Sequence, residues 1–569
     1  MGDRLSTPLL FDHYYDYAEL DAAINALTAA YPHLVTRHQI GTSHQGRAIF
    51  LVELTNRVTG PGDAKPGYYI DGCIHAEELA ASMAPLHTVY ALCTQYGINA
   101  DITELLDTQV IYIVPRLNPD GAELVLKTPY YWCGNGRDAP AAVFTDGLVP
   151  TDLNGDGLIT QMRVPDPLGE WKVSEKEPRL MVLRGADERG GRYYRVLPEG
   201  VIPGFDGAAV RIPKPPDGNL NRNYPSNFLP DPFQYGAGPY PLSEPETCAV
   251  VEWIVAHPNI HGALAYHTHS GVLLRPYLNK PDSAFPKGDL GLYIAIGALG
   301  TEETGYPMIS VYEDFTDDKS TPRTGSFSEW AYEEKGILTF ATELWDPYTA
   351  AGLKKPEFYP LRAWGEDDYI ALLRWADAHT ATIQKRPAYV DWAEAPHPQF
   401  GMVEVGGWNN IWFFRNPPGD LLAAECARNT RFTVRAALCG PRLQFSLVMV
   451  EPLGASLYRV TAIVENSGYL PTNVTQQAIA MRTALPVTVT LAVEGGTIEL
   501  NDATQSLGHL AGRSERRTTY SPWSDEWGTP RKRARWLVRG EAGAALTLTA
   551  KTPRAGTIVQ TLTLDESDD

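Results

Sequence analysis

The chain has 569 residues, 44% hydrophobic and 10% aromatic, with 48 Lys plus Arg against 68 Asp plus Glu and a formal net charge of −20. That composition suits a globular protein with more than one core and excludes a disordered or fibrous one. So negative a field repels phosphate backbones, and no nucleic-acid partner is expected. The local exception is basic: Arg513, Arg516, Arg517, Arg531, Lys532, Arg533, Arg535 and Arg539, interleaved with Trp523, Trp527 and Trp536. It reads better as the solvated face of a strand than as a site for an anionic polymer.

The opening MGDRLSTPLLFDHYYDY lacks the basic and apolar regions of a signal peptide. No stretch reaches the roughly 18 apolar residues needed to span a bilayer. The chain therefore reads as a soluble, cytoplasmic protein with no membrane partner. Leu20, Ala23, Ile24 and Leu27 form a helical stripe behind Asp16, a suitable N-cap. Strand-like runs follow at 48–54, 68–74, 109–117, 261–268 and 336–344, separated by helix patterns such as EELAASMAPLHTVYAL and PETCAVVEWIVAH. Strands alternating with helices predict an α/β fold, a mixed, mostly parallel sheet with helices on both faces. A Gly-, Pro- and Asp-rich insertion at about 128–218 is too long for a simple connection. This first domain is expected to span 1–385, with KRPAYVDWAEAPHPQ (386–400 in outline) as a linker. From 401 to 569 short β-rich runs, FTVRAAL and LQFSLVMV among them, predict a C-terminal all-β sandwich. The six cysteines form no CxxC pair and read as reduced thiols.

Polar residues cluster at the ends of the predicted strands. In IDGCIHAEELAAS, His75 and Glu78 are spaced i, i+3, which in a first helical turn puts both on one face, within reach of a Zn²⁺. The plainer reading is a helix start with Glu77 and Glu78 complementing the dipole. In LAYHTHSG, His267, Thr268, His269 and Ser270 follow an apolar strand, and either histidine is suited to ligate. A third ligand there would leave a position open for water, as in catalytic zinc sites. Glu343, ending LTFATEL, offers a carboxylate for general-base work. Asn221 and Arg222 offer a fork for a substrate carboxylate, though a surface turn would use the same residues. Within the insertion, Asp152, Asn154 and Asp156 begin a calcium loop, DxNxDG, but position twelve is Arg163. That excludes a standard EF-hand and leaves a truncated Ca²⁺ site or a Gly-Asp turn.

Taken in order, HxxE, NPDG (118–121), the run from Asn221 to Tyr224, SEPET (243–247), HTHSG and TELWD resemble the zinc carboxypeptidases, the carboxypeptidase-A-like metallopeptidases. GTSHQGRAIFLVEL also resembles that family's first strands, and the likeness runs from about Tyr14 to Ile383. The resemblance implies an eight-stranded mixed sheet and one Zn²⁺ per chain, held by His75, Glu78 and His267. It makes Glu343 the general base, and Asn221 and Arg222 the dock for the free C-terminus of a peptide substrate. Three departures stand out. Asn219 occupies the place of an Asp that orients a zinc histidine, which leaves Asp217 as a candidate helper. DDKSTPRTGS lacks the family's mobile Tyr, and Arg137 is the candidate for the Arg that steadies the oxyanion. Ser326, Phe327 and Ser328 are expected to line the side-chain pocket; none is charged, which disfavours terminal Lys or Arg and favours an apolar or small residue. The implied activity is C-terminal peptide hydrolysis. Two other readings remain: a zinc amidohydrolase of the same fold acting on acyl-amino acids or cell-wall peptides, and a non-catalytic binding protein using the sandwich.

Overall fold

The computed structural model describes residues 7–137, 147–213, 218–354, 364–379, 386–515 and 529–564. Its centre is an eight-stranded sheet ordered Val35–Thr42, Ala48–Leu54, Val110–Val114, Gly67–Gly72, Ile260–Thr268, Leu338–Leu344, Val272–Arg275, Met308–Ser310. The four middle strands run parallel, and antiparallel pairs flank them on both sides. Every residue of Gly67–Gly72 and of Ile260–Thr268 is buried, as strands covered on both faces require.

Alternation along the strands divides the core in two. Ile70, Leu264, Tyr266 and Phe340 face helices Ala80–Gln95, Lys287–Thr304 and Gly419–Leu438. Tyr69, Ala263, Ala265 and Ala341 face helices Pro245–Ala256 and Phe327–Glu333. Asp16 caps the first helix, Tyr17–Ala30, in a capping box with Glu19, and the predicted stripe Leu20, Ala23, Ile24, Leu27 is its buried face.

The expected linker is a strand. Tyr389–His397 pairs with Gly401–Trp408, and these two join four strands of the insertion in a six-stranded antiparallel sheet. Met162, Val164, Ala395, Val403 and Val405 share its small core. Tyr389–His397 is the edge strand of that sheet, where a proline such as Pro396 is tolerated.

The sandwich also begins later than the expected 401. FTVRAAL lies inside the helix Gly419–Leu438, whose buried positions Leu422, Cys426, Phe432, Ala436 and Ala437 follow a helical period. The β-branched residues mislead only when that run is read apart from the preceding turns. Two four-stranded antiparallel sheets follow, from Leu443 to Thr563, with Val460, Val489, Trp536 and Leu548 among their shared core. Arg531, Arg533, Arg535 and Arg539 are exposed while Ala534, Trp536 and Val538 are buried, the alternation of a solvated strand face. Arg516, Arg517, Trp523 and Trp527 lie outside the described residues. Among the described residues no helix is long and apolar enough to cross a membrane, and no disulfide joins any of the six cysteines.

Phe432 is fully buried and packs edge-on against Phe340 of the central sheet. Phe432→Ala is expected to cost about 3–5 kcal/mol, read as a lower urea midpoint of the unfolding transition that reports the central sheet.

Candidate active site

The parallel strands end at one edge, and the polar residues picked from the sequence follow those ends. Gly72 ends its strand against the next helix: a Cβ there would lie 1.8 Å from the Ala81 carbonyl oxygen, so the close approach requires glycine. His75 and Glu78 sit in the turn before helix Ala80–Gln95, not in its first turn as the spacing predicted. Three residues, Asn118, Cys133 and Asn416, hold that turn. Asn118 Nδ2 donates to the carbonyls of Ile74 at 3.2 Å and Gly134 at 2.8 Å. Ala76 N–H donates to the Cys133 carbonyl at 2.9 Å. Asn416, far along the chain, accepts from Ala80 N–H at 2.8 Å and donates to the Glu77 carbonyl at 2.7 Å.

In this turn the Glu78 carboxylate reaches two imidazoles. Its Oε1 lies 3.0 Å from His75 Nδ1 and its Oε2 lies 3.1 Å from His267 Nδ1. The two Nδ1 atoms are 3.3 Å apart, and one ligand atom from each residue falls within 4.8 Å of the others. Two imidazole nitrogens and a carboxylate oxygen are the donor set of a catalytic zinc site with a position left for water. His75 Nε2 donates to Asn219 Oδ1 at 3.1 Å, which turns Nδ1 inward. An amide therefore fills the place where the resemblance implies a carboxylate; Asp217 lies outside the described residues. His269 lines the same cleft without joining this group, and burial pushes its imidazole down to about 3.

Glu343 is brought alongside by strand register, directly opposite His267. Burial, then repulsion from Glu78, pushes its carboxyl up to about 8. Burial works against ionised Glu78 as well, but the two rings hold it far below the usual carboxylate range. Asn221 Oδ1 accepts from Phe327 N–H at 2.9 Å, and its Nδ2 lies 3.5 Å from His267 Nε2. Arg222 lines the cleft, and burial together with the like charge of Arg323 brings it down to about 10. Asn223 fixes this segment by accepting from Thr247 Oγ1 at 2.7 Å and Glu244 N–H at 3.2 Å. Gly325, at φ 71°, backs it so closely that a Cβ would lie 2.5 Å from the Arg222 carbonyl.

Together these residues line a cavity of about 380 Å³ with Glu77, Tyr131, Cys133, Leu274, Leu278, Val311, Phe315, Ser326 and Ser328. Phe327 is not in its wall. Its ring is 1% exposed and packs on Tyr69 and Tyr224, because the helix start turns the flanking serines outward and the apolar residue in. Arg137 is likewise elsewhere, paired with Glu244 at 3.0 Å and donating to the Ser243 carbonyl at 3.1 Å. The calcium-like residues cap their own turn: Asp152 accepts from Gly155 and Gly157 N–H at 2.7 and 2.8 Å, and Asp156 from Leu158 N–H at 2.8 Å. Asn154 accepts from Asp156 N–H at 3.0 Å, so the Gly-Asp turn accounts for all three side chains.

Sequence reasoning missed Arg415, Tyr131 and Arg323, which all line the cleft. None belongs to one of the ordered motifs; an arginine in a Trp-, Phe- and Asn-rich run, NNIWFFRNPP, was the only signal for the first.

A family model described as Zinc carboxypeptidase matches residues 20–157 and 207–362, and one described as Domain of unknown function (DUF8731) matches 442–563. Carboxypeptidase A1 of Sus scrofa is 23% identical over 350 residues, covering 60% of this chain and 65% of its own length. Carboxypeptidase A2 of Rattus norvegicus is 23% identical over 342 residues, covering 59% of this chain and 63% of its own length. The chain thus spans just under two thirds of these relatives. Among solved structures, thrombin activatable fibrinolysis inhibitor has 17% identity over 75% of this chain and 74% of its own, with a TM-score of 0.44. Carboxypeptidase A from Helicoverpa armigera has 17% identity over 75% of each chain, with a TM-score of 0.43.

Asn219 holds the ring that must present Nδ1. Removing such an orienting partner costs about 10–100-fold in metal affinity, so Asn219→Ala should weaken Zn²⁺ binding by that factor in a competitive chelator titration. Asn219→Asp, which restores a carboxylate, should tighten it.

Proposed function

This chain belongs to the zinc carboxypeptidase family, and we propose that it is a zinc-dependent carboxypeptidase that hydrolyses the C-terminal bond of peptides. The observation that carries this reading is the convergence of His75, Glu78 and His267 beside Glu343, in a cleft that Arg222 also lines. His75, Glu78 and His267 would hold one Zn²⁺, which when bound polarises a carbonyl and makes water more acidic.

The other roles fall to the protein's own side chains. Glu343, in its ionised form, takes a proton from the attacking water and delivers it to the departing amine nitrogen. Arg222, with the Asn221 amide, docks the terminal α-carboxylate and so sets the last peptide bond over the nucleophile. Leu274, Leu278, Val311 and Phe315 give an apolar wall for the terminal side chain, and the charge of Arg323 beside it is offset by Asp317 at 3.9 Å. That wall supports the preference for apolar or small terminal residues over Lys and Arg.

A peptide digest followed by mass spectrometry, with zinc analysis, tests the reading. One Zn²⁺ per chain and stepwise loss from free C-termini are expected, with apolar ends trimmed faster than Lys or Arg ends and amidated peptides left intact. Cleavage of amidated and free peptides alike would point instead to an amidohydrolase. Glu343→Gln should keep its zinc and lose about 10²–10⁴-fold in kcat; normal turnover would remove it as the base.

A further inference from the structure

We propose that Arg415 is a catalytic residue, which donates to the scissile carbonyl oxygen as that oxygen gains negative charge. The inference rests on the carboxypeptidase reading and concerns a residue beyond position 362, where the family match ends. The resemblance expected Arg137 in this role, but Arg137 is committed to Glu244 and Ser243 outside the cleft.

Arg415 is fixed beside the converging ligands from two directions. Its Nη1 lies 3.3 Å from the carbonyl oxygen of Thr268, the residue after His267. Its Nη2 donates at 3.0 Å to the Tyr131 hydroxyl, which in turn donates at 2.7 Å to Glu77, the residue before Glu78. The guanidinium is thus held by chain neighbours of two of the three ligand residues, on the wall of their cavity.

The charge and the free donors also fit. Burial opposes the cation, but the neighbouring carboxylates, Glu77 and Glu78, favour it. In a water-poor cleft a fixed cation acts on developing charge far more strongly than in bulk water. Of the guanidinium donors, Nη1 makes only a long bond, while Nε is buried with no partner among the described residues. Arg222 lies with Asn221 on the segment proposed to dock the carboxylate, and Arg323 has more than half its side chain in solvent.

The step balances on these groups. The water oxygen bonds to the carbonyl carbon as its proton passes to Glu343, and the carbonyl π pair moves onto oxygen, facing the Arg415 N–H donors. When that pair returns, the C–N bond breaks and the proton on Glu343 goes to the amine nitrogen.

The test compares the zinc-loaded full chain with Arg415→Ala and with Arg415→Met, which keeps the packing volume. Calorimetry measures binding of an N-blocked peptide phosphonate, a tetrahedral anion, and of the released amino acid. Removing one such donor lowers kcat by about 10²–10³-fold; KM should stay within about threefold, and phosphonate affinity should fall with kcat. Zinc content and affinity for the amino acid should not change. If the alanine variant loses zinc or folds poorly, the methionine variant decides. A kcat and phosphonate affinity near wild type would overturn the inference. Equal loss of amino-acid affinity would also overturn it, by making Arg415 a carboxylate dock. A wild type that hydrolyses no free-ended peptide would instead overturn the carboxypeptidase reading, while the phosphonate comparison still reports on Arg415.

Discussion

Glu78 is 3% exposed, and each of its oxygens faces an imidazole, His75 at 3.0 Å and His267 at 3.1 Å. A buried carboxylate stripped of partners costs several kcal/mol, so the two rings must be held where they are. His267 is held by its place at the end of a fully buried strand. His75 sits in an irregular turn and needs bracing from outside: Asn219 on its ring, Asn118 and Cys133 on its backbone neighbours, Asn416 at the helix start. Much of what surrounds the cleft is the consequence of fixing that one turn.

The motifs that carry the family likeness divide accordingly. HxxE, HTHSG and TELWD supply groups that face the cleft. NPDG and GTSHQGR supply none, yet Asp120 accepts from Ser43 Oγ and Gln45 N–H at 2.8 Å and from Arg47 at 2.6 Å, locking the two loops together. Asn118, beside it, then reaches the His75 turn. SEPET does the same for the segment that carries Asn221 and Arg222, through Thr247, Glu244 and Asn223. A short motif can therefore serve by the hydrogen bonds it makes rather than by chemistry of its own.

This division decides how much was legible in the sequence. The central strands read correctly because strands buried on both faces must be apolar throughout, and Asp16 because a capping box has a fixed spacing. The meeting of His75, Glu78, His267 and Glu343 in space was legible because strand ends gather at one edge. Phe327 was misread since periodicity at a helix start does not say which residue turns inward. Arg137 was chosen for its closeness to NPDG in sequence, whereas an arginine's long side chain places its charge by tertiary contacts. The Gly419–Leu438 helix was missed because its apolar period emerges only over several turns.

The insertion and the segment after residue 386 explain each other. Gly401–Trp408 pairs with the insertion strand Gln161–Pro165 on one side and with Tyr389–His397 on the other. The turn that follows delivers Arg415 to Thr268 and Tyr131, and Asn416 to the start of helix Ala80–Gln95. Helix Gly419–Leu438 then packs on that same helix. A turn carrying a buried cation needs rigid elements at both ends, or the cost of ordering it would fall on the interactions in the cleft. The small sheet provides one anchor and the packed helix the other. On this view the insertion is the platform that sets a distant segment of the chain against the cleft.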